Sequence, residues 1–199
     1  MPEVTADMTI SLDGFASGRG QSREKPFGDL DHRRLHKWQF DHRDENREEA
    51  ETITEAGAFI MGRKMFSAEE GEWDLEWTGW WGEDPPYHAP TFVLCHRPRA
   101  SIEMEGGTTF HFVTEGIDVA LARAREAAGG KDVRVGGGVS VIQQYLRRRL
   151  IDEMHIAIAP VLLGTGERLF EGVNLPALGY ACTRHEQSRL ATHLIIARE

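Results

Sequence analysis

The sequence predicts a single three-layer α/β domain, a mostly parallel central sheet between helices with an antiparallel hairpin at its C-terminal edge. Three observations predict it. Short apolar runs alternate with helix-forming stretches from residue 3 to about residue 163. Two further runs, 180–187 and 190–197, then follow each other as a hairpin. The 199 residues, 40% of them hydrophobic, contain no internal repeat, low-complexity tract or linker, and so suit one core over 1–199.

Residues 3–12 alternate partly and read as the first strand, ended by the turn signal Asp13-Gly14. The stretch 15–31 is rich in Gly, Ser and charge and reads as a loop. The charged, helix-friendly segments 30–40 and 46–55 read as helices, and Gly57 is a C′ residue for the second. Residues 58–61 form a buried strand, from which Gly62-Arg63-Lys64-Met65-Phe66 opens a short helix. Residues 70–90 mix Trp73, Trp77, Trp80 and Trp81 with glycine and proline, as either a lid or a surface excursion held down by aromatics.

Residues 91–96 form a strand ended by Arg97-Pro98-Arg99, and 108–114 form another. The alanine-rich run 117–128 is a helix closed by Gly129-Gly130. An apolar strand at 133–135 then runs into Gly136-Gly137-Gly138. The helix that follows carries Val139, Ile142, Tyr145, Leu146 and Leu150 on one side, with Arg147, Arg148 and Arg149 toward its C-terminus. A buried strand over 154–163 leads to the Gly164-Thr165-Gly166 turn and a Leu169-Phe170 anchor.

A net charge of −9 and a pI near 5.5 argue against a general grip on nucleic acid or on an anionic membrane. No apolar run approaches the roughly 20 residues of a membrane span. The N-terminus lacks the basic-then-apolar plan of a signal peptide, and Cys95 and Cys182 stand apart, so a reduced, cytoplasmic protein is expected.

Four places could converge on one ligand. The triple glycine Gly136-Gly137-Gly138, with Val139 and Ser140 opening a helix, offers bare backbone and helix N–H groups to a dinucleotide pyrophosphate. On spacing alone a strand-to-helix turn without a ligand fits equally well. Gly62-Arg63-Lys64 and His96-Arg97 lie just past two other strands, where open α/β sheets bind ligands. Singly, these cations read as solvated surface charge. As a set in an acidic protein they suit the 2′-phosphate of NADP; an NAD site more often has an acid gripping the 2′-hydroxyl. Asp13 could orient a substrate or relay a proton if burial raises its pKa, and alone it reads as a turn-forming aspartate.

No carboxylate or cysteine is placed to complete a recognisable metal motif with His32, His36 and His42, so no metal is expected. The tryptophans could stack a flat heterocycle or plug the surface. Cys95 lies within a strand and reads as an inert buried thiol. A short-chain dehydrogenase fits poorly. Its glycine fingerprint should follow the first strand, and Tyr145 with Arg149 is the nearest approach to its Tyr-x-x-x-Lys pair.

Four motifs occur in order: Ile10-Ser11-Leu12-Asp13-Gly14, Gly62-Arg63-Lys64, Val135-Gly136-Gly137-Gly138, and Pro160-Val161-Leu162-Leu163-Gly164-Thr165-Gly166 with Leu169-Phe170. Over nearly its whole length the chain resembles the C-terminal reductase domain of the bifunctional riboflavin-biosynthesis deaminase-reductases, a domain similar to dihydrofolate reductase. The resemblance implies a dihydrofolate reductase-like fold, NADPH as cofactor, a small-molecule substrate and a homodimer. It implies that Gly136, Gly137 and Gly138 hold the pyrophosphate, and that Arg63, Lys64, His96 and Arg97 serve the adenosine 2′-phosphate. Ser11, Asp13 and Gly14 would lie by the nicotinamide and substrate. Two departures stand out: Met65 replaces a common threonine, and the deaminase motifs are absent from this sequence. The expected activity is therefore a stand-alone NADPH-dependent reductase acting on a pterin- or pyrimidine-like substrate. The alternative is a non-catalytic NADP(H)-binding sensor with a degenerate substrate site.

Overall fold

The computed structural model of the chain describes residues 2–29 and 32–199. The expected helix start at Leu30, the loop end at Asp31 and the side chain of His32 lie outside the described residues.

Eleven strands are described: β1 (Val4–Ser11), β2 (Phe15–Ser17), β3 (Ala58–Gly62), β4 (Pro90–Leu94), β5 (Ile102–Glu103), β6 (Thr109–Val113), β7 (Val133–Gly137), β8 (Glu153–Ala159), β9 (Glu167–Arg168), β10 (Tyr180–Gln187) and β11 (Thr192–Arg198). The helices are α1 (His32–Leu35), α2 (Lys37–Phe40), α3 (Arg47–Thr52), α4 (Arg63–Phe66), α5 (Ile117–Ala127) and α6 (Val139–Arg147). Nine strands form one sheet in the order β10-β11-β8-β1-β7-β3-β4-β6-β5. Its six central strands, β8 to β6, run parallel, while β11 and β10 extend it antiparallel.

The expected architecture is therefore present, with local differences. The charged segment 32–52 is three short helices and a 3-10 turn instead of two longer helices. Its sequence has no sustained apolar stripe to hold a long helix against the sheet. β7 runs on through Gly137, so only Gly138 forms the actual turn into α6. α6 stops at Arg147 and β8 at Ala159, each earlier than expected. The short pairs β5–β6 and β2–β9 have no alternating pattern long enough to announce them.

Alternation along β1 divides the core. Val4, Ala6 and Ile10 join Val133 and Val135 of β7 with Ala120, Ala124, Ile142 and Leu146 of α5 and α6. On the opposite face of the sheet, Phe59, Met61, Val93 and Phe110 pack against Phe66 beneath Trp73, Trp77 and Trp81. The tryptophan-rich excursion is thus held down by aromatics.

Toward β1, β8 and β11 that opposite face is polar. Asp7 Oδ2 lies 2.5 Å from His155 Nδ1, His155 Nε2 lies 3.0 Å from His193 Nδ1, and His193 Nε2 lies 3.0 Å from Asn46 Oδ1. Asn46 donates its amide to the carbonyls of Trp38 and His42, and the wholly buried Trp38 donates to Thr9. These partners fix proton positions. His193 Nε2 faces Asn46 Oδ1 and the Ser188 hydroxyl, whose own proton goes to the Ala191 carbonyl, so Nε2 carries a hydrogen. Neutral His193 then accepts from His155 Nε2–H, and His155 turns its Nδ1 toward Asp7 Oδ2. Burial, and then the neighbouring His155, depress the pKa of His193, in keeping with its neutral form.

Candidate nucleotide and substrate site

The two glycine turns meet. Met61 pairs with Gly137 across β3 and β7, which carries Gly62 alongside the end of the triple glycine. A Cβ on Gly62 would stand 2.9 Å from Val141 Cγ2 and 3.6 Å from Gly138 N. Gly137 has φ +123°, a conformation side chains avoid, and a Cβ there would press on Met8 at 3.1 Å. Met65, the departure from threonine, lays its thioether along Gly136 and Gly137, with Sδ 3.8 and 3.7 Å from their Cβ positions. No atom lies within 4 Å of a Cβ on Gly138, so the turn is open. The Gly138 carbonyl accepts from Val141 and Ile142, while the N–H groups of Val139 and Ser140 have no protein partner among the described residues. Buried Gly62 and Gly137, half-buried Gly136 and Gly138, and exposed Ser140 therefore present a bare helix start.

The β1 end is closed instead. Asp13 accepts from Ser11 Oγ at 2.6 Å, from Leu163 N–H at 3.1 Å and from Gly164 N–H at 2.7 Å. Partial burial alone would raise the pKa of Asp13, but the hydrogen bonds from Ser11, Gly164 and Leu163 outweigh it and hold the pKa at about 2. This corrects the proton-relay expectation: Asp13 is a fixed carboxylate near neutrality and ties the β1 turn to the 163–164 loop. Ser11 is wholly buried, and its hydroxyl also accepts the Phe15 N–H, so its side chain shapes the turn. Gly14, half-buried with φ +87°, makes that turn, and its N–H returns to the Ser11 carbonyl. Leu12 and Leu162, both exposed, flank the clamp, with Leu12 N–H on the Val161 carbonyl.

The expected cations gather at one edge, and residues 69–77 lie across them. Arg63 donates to the carbonyls of Gly71 and Glu72 and stacks 3.9 Å from the Trp73 ring. Its Nε is buried with no hydrogen-bond partner among the described residues. Arg97 pairs with the Glu72 carboxylate, and its carbonyl accepts the Trp73 indole N–H. Lys64 faces Glu70 and Glu167 at 3.7 and 4.0 Å. His96 is exposed beside them. Sequence reasoning missed Arg99, which lies against Phe66, Trp73 and Phe112 and donates to the carbonyls of Leu75 and Trp77. It also missed Glu72, although five acids within 69–76 were a visible signal. At the strand end nearby, Cys95 is buried and its thiol pKa is pushed up, mainly by desolvation.

Comparison with known proteins places this arrangement. A family model of the RibD C-terminal domain matches residues 2–194. The "uncharacterized protein YyaP" of Bacillus subtilis is 25% identical over 177 residues, covering 84% of this chain and 79% of its own. Among solved structures, the "putative riboflavin biosynthesis protein" of Shewanella sp. PV-4 is 24% identical with a TM-score of 0.68, over 99% of both chains. RibD of Acinetobacter baumannii is 16% identical with a TM-score of 0.62. All of this chain is covered, and it spans 58% of that protein. The fold is dihydrofolate reductase-like, and the chain belongs to the RibD C-terminal domain family.

Proposed function

We propose that this chain is an NADPH-dependent reductase that delivers hydride to a small, pterin- or pyrimidine-like heterocycle. The observation that carries the reading is the meeting of the Gly62 turn with Gly137 and Gly138 at the open start of α6. The residues present fit a phosphorylated dinucleotide. The backbone at Gly138 is bare, and the buried Nε of Arg63 has no partner among the described residues at the edge where the 2′-phosphate would lie. In this reading Gly136, Gly137 and Gly138, with the N–H groups of Val139 and Ser140, hold the pyrophosphate. Gly62 lets the two turns close up, and Arg63, Lys64, His96 and Arg97 take the adenosine end. NADPH supplies the hydride when bound. The Asp13 clamp, set by Ser11 and Gly14, fixes the loop that borders the reacting end and so aligns a substrate there.

Calorimetric titration with NADPH, followed by NADPH oxidation with a panel of pterins, pyrimidines and small carbonyls, tests the proposal. Micromolar binding with turnover of one panel member is expected. Absence of NADPH binding overturns it. One observation favours a second reading, a non-catalytic NADP(H) sensor: the Asp13 carboxylate is ionised and already bonded, so it supplies no proton. Tight NADPH binding with no oxidation across the panel supports that reading.

A further inference from the structure

The cations expected to meet a 2′-phosphate already meet an anion belonging to the chain. Residues 69–77 carry Glu69, Glu70, Glu72, Asp74 and Glu76 around Trp73 and Trp77. Arg23 binds Glu69 and Asp74, Lys64 faces Glu70, Arg97 holds Glu72, and Arg63 stacks on Trp73. An acidic, aromatic segment thus covers the cations that the reductase reading gives to the adenosine end. We infer that Glu72 is a specificity-determining residue of the nucleotide site, its carboxylate competing with the adenosine 2′-substituent for Arg97. The inference rests on the reduced-nucleotide reading above and sharpens it.

The physical argument concerns what each cofactor does to Glu72. A 2′-phosphate brings negative charge to Arg97, so Glu72 must leave before the phosphate can enter. A 2′-hydroxyl is a donor, which a carboxylate accepts, so Glu72 can stay. Glu72 therefore weakens NADPH and not NADH. The pair is exposed, Glu72 by 84% and Arg97 by 50% of their side chains, so the competition is mild. An exposed ion pair of this kind corresponds to about 1.5- to 5-fold in affinity.

Glu72→Gln removes the charge and keeps the backbone carbonyl that Arg63 uses. Affinities of the full chain for NADPH, NADH and 2′-AMP are measured by tryptophan fluorescence and calorimetry. Glu76→Gln serves as the control, removing the same charge elsewhere on the segment. Glu72→Gln is expected to tighten NADPH and 2′-AMP by about 1.5- to 5-fold and to leave NADH unchanged or weaker. Glu76→Gln is expected to leave the NADPH:NADH ratio alone. An unchanged ratio in Glu72→Gln, or the same change in both variants, overturns the assignment while leaving the reductase reading standing. If neither the native chain nor the variants bind NADPH or NADH, the reductase reading falls and the assignment falls with it.

Discussion

The Asp7–His155–His193–Asn46 chain and the Arg63–Arg97 edge are both polar, and they are held in opposite ways. The first is buried, and each member is hydrogen-bonded to the next. Removing one member strands the others in a medium that does not solvate them. The second lies at the surface, where water can replace any partner and salt screens each charge. The buried chain should therefore govern stability, and the edge should govern which ligand binds.

His155→Leu is the strongest test of that contrast. Among the described residues it leaves Asp7 with only Arg134 as a charged partner, at 3.9 Å, and leaves His193 Nδ1 without a donor. The expected cost is about 3 kcal/mol, or roughly 6–12 °C in Tm for a domain of this size, read by thermal unfolding. Asp7→Leu combined with His155→Leu should recover part of the loss. No recovery would mean that the loss does not come from the stranded Asp7 carboxylate.

The second test is acid. The unfolded chain binds a proton at His193 near pH 6.5, and the folded chain resists it because burial depresses that pKa. Stability should thus fall as pH drops below 6.5, the unfolded state then binding more protons. His193→Gln should flatten that slope in urea unfolding measured across pH.

Third in size is Asp13→Asn. Its bonds to Leu163 and Gly164 are charge-assisted but half-exposed, so about 1 kcal/mol is expected, with faster amide exchange confined to 163–164. Because the folded pKa of about 2 lies below the ordinary value of 3.8, the Asp13 contribution is present above 3.8 and is lost as pH falls toward 2. The variant should lack that acid-dependent loss.

Arg97→Ala should be the smallest for stability, under about 1 kcal/mol, yet on the reductase reading it should weaken NADPH far more than NADH. Equal loss for both cofactors would sink the 2′-phosphate assignment.

The same contrast explains what could be read from the sequence. Buried parallel strands such as 58–61 and 133–135 declare themselves as apolar runs, and Ala-rich α5 by composition, so the sheet and its order of elements were legible. The glycines were legible too, because a residue without a side chain is visible as such. The role of Asp13 was not: its pKa depends on Leu163 and Gly164, about 150 positions away, whose N–H groups carry no sequence signal. Nor was the histidine chain, since His155 and His193 sit on strands whose pairing brings together residues 38 apart. Glu72 was hidden for another reason. An acid in a polar loop looks like solvated charge until a structure shows which arginine it faces.

The position of β1 bears on how the chain comes off the ribosome. β1 lies in the middle of the sheet, and both its neighbours follow it much later in the sequence: Val4 pairs with Val133, and Thr5 with Glu153. β3, β4 and β6 can associate as they emerge, but Val4, Ala6 and Ile10 have no partner strand in the main sheet until β7 has been made. The N-terminal segment is therefore an apolar ribbon in waiting throughout elongation, and such non-local pairing is slow and exposed to wrong contacts. Nascent chains stalled before residue 133 should engage chaperones through residues 4–10, and release should coincide with emergence of β8.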